Sequence, residues 1–499
     1  MIYLTAQPAS TYFYWQLEIQ LRNFKNIGLQ PKNIHVLLAV SLNDSNDKSL
    51  KIFLEQNSNL ASIYIYQDKR EDKSYISSIR PNILYQHFMK FPELEQETIV
   101  YIDSDILLKR RFSDRLINDD VCYVSDTRSY LDSDYIIQSG SEDLLKGMAS
   151  VVGIPVQKIK EENDNTGGAQ YILKNIKASF WSKVELDSTN LYQYMKSYND
   201  GIWQISNSEG KNFSKKDEGI QAWCSDMWAL LWNLWRNGQK VLIDSELDFL
   251  WPNESIEKWG EKIILHYTGE TDDTFEVFSK IRYISKMPWY DSRLDKVSNK
   301  NCSSIVVDAI KERKREFDEA RPIVENMVVI YKCDDFTEDM LINFKTIKKF
   351  YQKNINIPVF LYCVNNELIV DEDLQVEFSY QYIKKQIKDN SKVLLLPVGQ
   401  VIDAFDLLRF KDFVLDNESY RVKFQNVYNL DAVIYANFAT YLDIEVLTEN
   451  LGKLSFTSSI ENDVFLYDKN LFNKVVVNSL ELDQSILFKN ILINKSYVV

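Results

Sequence analysis

Ile99-Val100-Tyr101-Ile102-Asp103-Ser104-Asp105-Ile106-Leu107-Leu108 is an apolar run that ends in two carboxylates one residue apart, with a second apolar run behind it. Alternation along a strand puts Asp103 and Asp105 on one face. At a strand end the backbone loosens enough for both side chains to reach one ligand. Carboxylates held that close repel unless a cation sits between them or one keeps its proton. A hard divalent ion with oxygen ligands, Mn²⁺ or Mg²⁺, resolves the repulsion, and such ions commonly bridge to phosphates. Taken alone, the stretch reads equally as a solvated turn after a buried strand, because DxD is short and charged turns are common.

Upstream, the period of the apolar residues alternates. Ile2–Ala6, Ile34–Val40 and Ser62–Tyr66 read as strands, and Tyr12–Phe24, Lys48–Glu55 and Ile79–Met89 as helices, the last with Pro81 in its first turn. Ile99–Ile102 is then the fourth strand. Strand–helix alternation at this pitch predicts an α/β domain, a mostly parallel, Rossmann-like sheet flanked by helices on both faces. Such sheets bind ligands outside the carboxyl ends of their strands. The aspartates lie at such an end, which favours a ligand site over a plain turn.

Downstream, Asn163-Asp164-Asn165-Thr166-Gly167-Gly168-Ala169-Gln170 is polar and then glycine-rich, and paired glycines let backbone approach a ligand or simply turn. Ala222–Trp235 reads as a helix apolar almost all round that carries one acid, Asp226. A carboxylate there is costly to bury without a partner, so it is either functional or solvated at the helix start. Of the three histidines, His35 falls in a strand and His87 in a helix, where structural roles are expected. His266 follows the apolar run Ile263–Leu265 and stands at a strand end, open to a ligand role or a structural one.

At 499 residues the chain predicts two domains. Asn299–Pro322 shifts in composition around Lys311-Glu312-Arg313-Lys314-Arg315-Glu316, a solvated helix in which acids interrupt the bases. The expected organisation is 1–300, a connecting helix over 301–326, and a smaller α/β domain over 327–499. In the last, Met327–Tyr331, Val359–Val364, Lys392–Leu396, Val433–Tyr435 and Val464–Leu466 read as strands, and Leu341–Tyr351 and Phe405–Phe413 as helices. It looks like a reduced copy of the first domain, with Val393–Gln400 in the place of the DSD strand and the acids gone. Asp334-Asp335 is a further acidic pair at a strand end, and the domain reads as non-catalytic, binding acceptor or partner.

The net charge of −14 argues against a nucleic-acid partner. Ten Trp and twenty-nine Tyr suit sugar faces, although most such rings are core. Five dispersed cysteines without CxxC spacing read as reduced thiols, so the expected location is cytoplasmic. The N-terminus reads as a first strand rather than a leader. No apolar run is long enough to span a bilayer, which leaves at most peripheral membrane contact; the oligomeric state stays open.

Asp103, Asp105 and His266 would be united by a nucleotide-sugar donor, whose diphosphate needs neutralising as its glycosidic bond breaks. Here the chain resembles the GT-A glycosyltransferases. Tyr101–Asp105 looks like their DxD strand, Asn165-Thr166-Gly167-Gly168 is similar to the Asn-Ser-Gly segment of family 8, and His266-Tyr267-Thr268-Gly269 resembles the start of the HxxGxxKPW motif. The resemblance covers about residues 1–295. More distantly, Thr5-Ala6-Gln7-Pro8 with Tyr12–Gln16 resembles the opening of plant hydroxyproline arabinosyltransferases, whose acid-bearing Trp/Met helix is similar to Ala222–Ala229.

The resemblance implies a transferase that moves a sugar, with retention, from a UDP-type donor to a glycan or protein acceptor. It implies Asp105 and His266 as ligands of Mn²⁺ or Mg²⁺, with Asp103 shared between metal and ribose and Ser104 beside the donor. Thr5, Ala6 and Gln7 would meet the nucleotide, and Arg80 the donor phosphate or sugar. Gly167, Gly168 and Gln170 would line the sugar pocket, Gln170 and Asp226 as catalytic residues; Asp226 as a base would instead suit inversion. The motif's glycine is Gly269, but Asp272 stands where its lysine belongs, which shifts that role to Lys280 or Lys286. The rival classes are a haloacid-dehalogenase-type phosphatase, for which Ile106-Leu107 is a poor continuation, and a sugar-nucleotide- or glycan-binding protein without catalysis. A two-carboxylate hydrolase needs its acids further apart than DxD permits.

Overall fold

The computed structural model describes residues 1–41, 48–208, 219–268, 274–289, 291–320, 327–333, 357–363, 368–371, 374–377, 392–397, 400–402, 419–424, 427–429, 455–457, 464–468 and 488–493. Internal contacts divide the chain into one unit of Met1–Ile284 with Ser292–Ile310, and another of Ser285–Asp291 with Lys311–Val499.

The first unit begins with β1 (Ile2–Pro8), β2 (Ile34–Val40), β3 (Ser62–Gln67) and β4 (Ile99–Tyr101). Helices Thr11–Asn26, Lys48–Asn57 and Ile79–Lys90 run between them. β2 is buried along all but its last residue, as a parallel strand covered on both faces must be. It pairs with β1 from Tyr3↔Ile34 to Pro8↔Ala39, and β4 pairs in parallel on the other side of β1. Beyond β4 come β5 (Ile106–Leu108), β6 (Cys122–Asp126), β7 (Gly167–Leu173), β8 (Val241–Ile243), β9 (Phe249–Leu250) and β10 (Ile264–His266).

The main sheet has seven strands in the order β3-β2-β1-β4-β7-β6-β8, with β7 antiparallel to both neighbours and the other pairs parallel. The expected mostly parallel sheet flanked by helices is therefore present. β4 ends at Tyr101, one residue short of the sequence expectation; the Ile102 N–H still donates to the Leu4 carbonyl of β1 at 3.1 Å, and the chain turns into the aspartates after it. Helices Ala178–Ser208 and Ser225–Arg236 bring Trp181, Trp228 and Trp232 into the core.

A second sheet, β5-β10-β9, forms just past the aspartates. Its antiparallel register sets Ile106 opposite His266. Ile106 directly follows Asp105, so strand pairing alone delivers the histidine to the aspartates.

The second unit contains β11 (Met327–Cys333), β12 (Val359–Cys363), β13 (Leu368–Asp371), β14 (Leu374–Glu377), β15 (Lys392–Pro397), β16 (Gln400–Ile402), β17 (Ser419–Phe424), β18 (Val427–Asn429), β19 (Ser455–Thr457), β20 (Val464–Asp468) and β21 (Phe488–Ile493). Eight of these form one sheet, ordered β14-β13-β12-β11-β15-β20-β17-β21; β16-β18-β19 form another. The helices expected at Leu341–Tyr351 and Phe405–Phe413, the strand at Val433–Tyr435 and the pair Asp334-Asp335 lie outside the described residues. The charged run Lys311–Glu316 lies within helix Ser303–Glu319. No helix among the described residues is long and apolar enough to cross a membrane.

Candidate active site

The loop between β4 and β5 is braced from the first helix. Gln20 donates from Nε2 to the Asp103 carbonyl at 2.6 Å and to that of Ile106 at 3.4 Å. Ser104 Oγ donates to Gln16 Oε1 at 3.0 Å, and Gln16 Nε2 in turn to the Tyr12 carbonyl at 2.7 Å. Asn23 exchanges two hydrogen bonds with Leu108. Gln16 and Gln20 are buried polar residues that find partners here, Gln20 in the Asp103 and Ile106 carbonyls and Gln16 in the Ser104 hydroxyl, while partly buried Asn23 holds the end of β5. Sequence reading missed them; the signal was Gln16 and Gln20 at i, i+4 within an apolar stripe.

So held, one ligand atom from each of Asp103, Asp105 and His266 lies within 4.8 Å of the other two. His266 Nε2 is 3.4 Å from Asp105 Oδ1, and Lys280 Nζ closes on Asp105 Oδ2. Burial alone would raise the Asp105 carboxyl pKa, but Lys280 and then His266 hold it well below the carboxylate range. Burial likewise opposes the Lys280 ammonium, and Asp105 keeps its pKa above the usual value. Asp103 pairs instead with Arg80 Nη1 at 2.9 Å, and the same nitrogen lies 3.6 Å from Asp226 Oδ2. The Arg80 pKa stays above its ordinary value despite burial, because Asp103 and other neighbouring groups outweigh the lost hydration.

Asp226 sits in the first turn of its helix, and the functional alternative gains a partner the sequence did not reveal. Tyr75 donates from its hydroxyl to Asp226 Oδ1 at 2.6 Å. Burial raises the Asp226 pKa, and Arg80 and Tyr75 pull it part of the way back. The result is a carboxylate held by Tyr75 and Arg80 in the lining of a cleft of about 650 Å³.

That cleft also receives Gln7, Lys280, Trp251 and Trp223, the last 64% exposed. Trp251 lies nearly parallel to the His266 ring, centroids 6.0 Å apart. Of Thr5, Ala6 and Gln7, only Gln7 lines the cleft, with Asp103 and Ser104; Thr5 and Ala6 are buried. Lys280 lines the cleft, whereas Lys286 does not and belongs to the second unit. Gly269 lies outside the described residues.

Gly167 and Gly168 differ most from expectation. They are buried, and the cleft is lined by Ala169 and Tyr171 instead. A Cβ on Gly167 would lie 2.3 Å from the Ser125 carbonyl, so this glycine serves the close approach of β6 to β7, where the register shifts between Val124 and Ser125. Ala169 adopts φ +67°, a left-handed backbone that turns the next residue inward.

That next residue, Gln170, is 0% exposed and has Nε2 3.4 Å from His266 Nδ1, while its Oε1 has no partner among the described residues. Rotating the amide by half a turn lets Oε1 accept from Nδ1–H and leaves the Nε2 lone pair of His266 facing the two aspartates. This is the tautomer a metal ligand needs, fixed from behind. Gln170 thus stands behind the histidine rather than in the cleft. Two carboxylates and an imidazole form an oxygen/nitrogen donor set that fits Mn²⁺ or Mg²⁺, and the Lys280 ammonium, which carries no lone pair, stands on Asp105 where a cation's charge would otherwise lie. Thr5 Oγ1 and Gln7 Oε1, both in β1, are further buried oxygens without a hydrogen-bond partner among the described residues.

No protein-family model and no curated protein matches this chain. Among solved structures, it is similar to the bifunctional glycosyltransferase WbbM at 11% identity and TM-score 0.31, over 59% of this chain and 51% of that one. It is also similar to the galactosyltransferase LgtC with donor and acceptor sugar analogues at 12% identity and TM-score 0.31, over 63% of this chain and 96% of that one. The likeness to mouse xyloside xylosyltransferase 1 is 8% identity and TM-score 0.28, over 53% and 97% respectively. The chain spans about half the length of WbbM.

Proposed function

We propose that this chain is a divalent-metal-dependent GT-A glycosyltransferase that moves a sugar, with retention, from a UDP-sugar donor to a glycan or protein acceptor. The observation that carries this reading is the Asp103–Asp105–His266 trio, donor atoms within 4.8 Å, inside a cleft that also holds Lys280 and Arg80. Bound there by Asp105 and His266, with Asp103 shared with the ribose, Mn²⁺ or Mg²⁺ supplies positive charge for a departing diphosphate.

The chain's own residues do the rest. Lys280 exchanges Asp105 for diphosphate oxygens and keeps fixed positive charge where negative charge develops. Arg80 spans Asp103 and Asp226 and so couples the donor-phosphate side of the cleft to the sugar side. Asp226, anchored by Tyr75, accepts hydrogen bonds from sugar hydroxyls, and Gln7 meets the nucleotide. Gln170 acts on the ligand set through His266. The Asp103–Arg80 pair also supports a binding role over attack on phosphorus, because a guanidinium at 2.9 Å blunts a carboxylate nucleophile. The non-catalytic domain is proposed for 327–499, joined to 1–300 through 301–326.

Incubation with Mn²⁺ and a panel of nucleotide sugars, monitored for nucleoside diphosphate, tests the reading. At least one UDP-sugar is turned over, and chelation or Asp105→Ala abolishes turnover. Failure to hydrolyse or bind any donor, or full turnover by Asp105→Ala, refutes it.

A further inference from the structure

We infer that a second cavity beside the cleft is a sugar subsite, built for the distal hexopyranose ring of a neutral oligosaccharide acceptor. As an acceptor subsite it rests on the glycosyltransferase reading. The cavity measures about 470 Å³, inside the range of roughly 300–1,000 Å³ usual for small-ligand pockets. Tyr130 and Trp251 line both it and the cleft. Trp251 is the ring stacked on His266, and Phe249 meets both rings edge-on, at 5.0 Å and 5.2 Å. The cavity therefore lies one aromatic ring away from the Asp103–Asp105–His266 trio.

The lining combines the two features that a pyranose needs. Half-buried Tyr130, Phe249 and Trp251 offer apolar faces to the ring C–H groups. Two ion pairs offer edges to its hydroxyls: Arg128 grips Asp126 at 3.0 and 2.7 Å, and Lys262 meets Asp248 at 2.6 Å. The two acids and two bases cancel, so the cavity has no net charge with which to select a phosphate or a cation. Each pair still has lone pairs and N–H groups to spare for hydroxyls. Arg128 and Asp126 are 46% and 36% exposed, and such pairs lose little when they re-pair with a ligand. Asp126 ends β6, whose carboxyl end lies on the same side of the sheet as that of β4.

Saturation-transfer NMR with lactose, maltose and cellobiose, each against its methyl monosaccharide, reads binding without any turnover. At least one disaccharide binds about fivefold more tightly than its monosaccharide, and Arg128→Ala, Lys262→Ala and the cavity-filling Ser129→Trp each remove that advantage. In the same proteins, Mn²⁺-dependent release of nucleoside diphosphate from donor alone stays at the wild-type rate. If no disaccharide outbinds its monosaccharide, or if the advantage survives Ser129→Trp, the subsite is refuted. Absence of donor turnover refutes the glycosyltransferase reading separately, since the binding comparison needs neither donor nor metal.

Discussion

In the first unit β1 lies between parallel β2 and β4, β4 meets antiparallel β7, and β7 meets antiparallel β6, which pairs in parallel with β8. In the second unit β11 lies between parallel β12 and β15, β15 meets antiparallel β20, and β20 meets antiparallel β17, which pairs in parallel with β21. The two sheets match strand for strand over this stretch. At the equivalent strand end they part. Asp103, Ser104 and Asp105 lie between β4 and β5, whereas Val398 and Gly399 lie between β15 and β16, and all three histidines fall within the first unit. The order of a sheet sets where a ligand could sit; the side chains at the strand end set whether one could be held there.

Four experiments sharpen or break this contrast. The largest effect is expected for Asp105→Asn, which removes one charge of the proposed metal site with little change of shape and should lower turnover about a thousandfold. Gln400→Ala, just past the equivalent strand end in the second unit, should leave turnover unchanged; comparable losses in the two variants would erase the distinction. Next, Gln170→Ala should weaken Mn²⁺ binding about 10- to 100-fold, with Gln170→Glu restoring most of it, because only an acceptor behind Nδ1 fixes the tautomer. Calorimetric titration of Mn²⁺ reads this directly, and equal affinities for both variants would remove Gln170 from the site.

The third concerns the histidines outside the site. His35 Nδ1 lies 3.0 Å from His87 Nε2, and the Tyr66 hydroxyl 2.7 Å from His87 Nδ1. Burial lowers both imidazoles, His87 to about 3. Between that value and the ordinary 6.5, the unfolded chain holds a proton on His87 that the folded one does not, so stability is complete above about pH 6.5 and falls on acidification. His87 alone should cost the first unit about 2 kcal/mol between pH 7 and pH 5. Every tryptophan except Trp289 lies in that unit, so urea unfolding followed by fluorescence reports on it. A midpoint that does not move between the two pH values would contradict the account. Smallest, Tyr75→Phe removes the 2.6 Å hydrogen bond to Asp226 and should reduce turnover about tenfold without changing Mn²⁺ affinity.

Much of the frame was legible because apolar period and strand-end position are local properties. Ile34–Val40 is a strand with the bounds its sequence suggests. The two acids, His266, Arg80, Asp226 and Lys280 meet in or around one cleft. What sequence did not reveal depends on register and packing. Gly167 is buried where a Cβ would meet the Ser125 carbonyl of β6, and Ala169 and Tyr171 line the cleft instead. Tyr75 meets Asp226 across 151 positions, and Gln20 braces a loop 83 residues away. Local spacing shows at most that Gln16 and Gln20 share a helix face; which distant group each residue meets is set by packing. The choice of Lys280 over Lys286 likewise needed the fold, since both follow His266 in sequence.

The most direct test of the central claim is Mn²⁺ binding followed by electron paramagnetic resonance in the presence and absence of UDP. The account predicts one Mn²⁺ per chain, bound more tightly with UDP present, and lost in Asp105→Asn but retained in Gln400→Ala. No bound Mn²⁺ in the wild-type protein, or binding that survives Asp105→Asn, would contradict it.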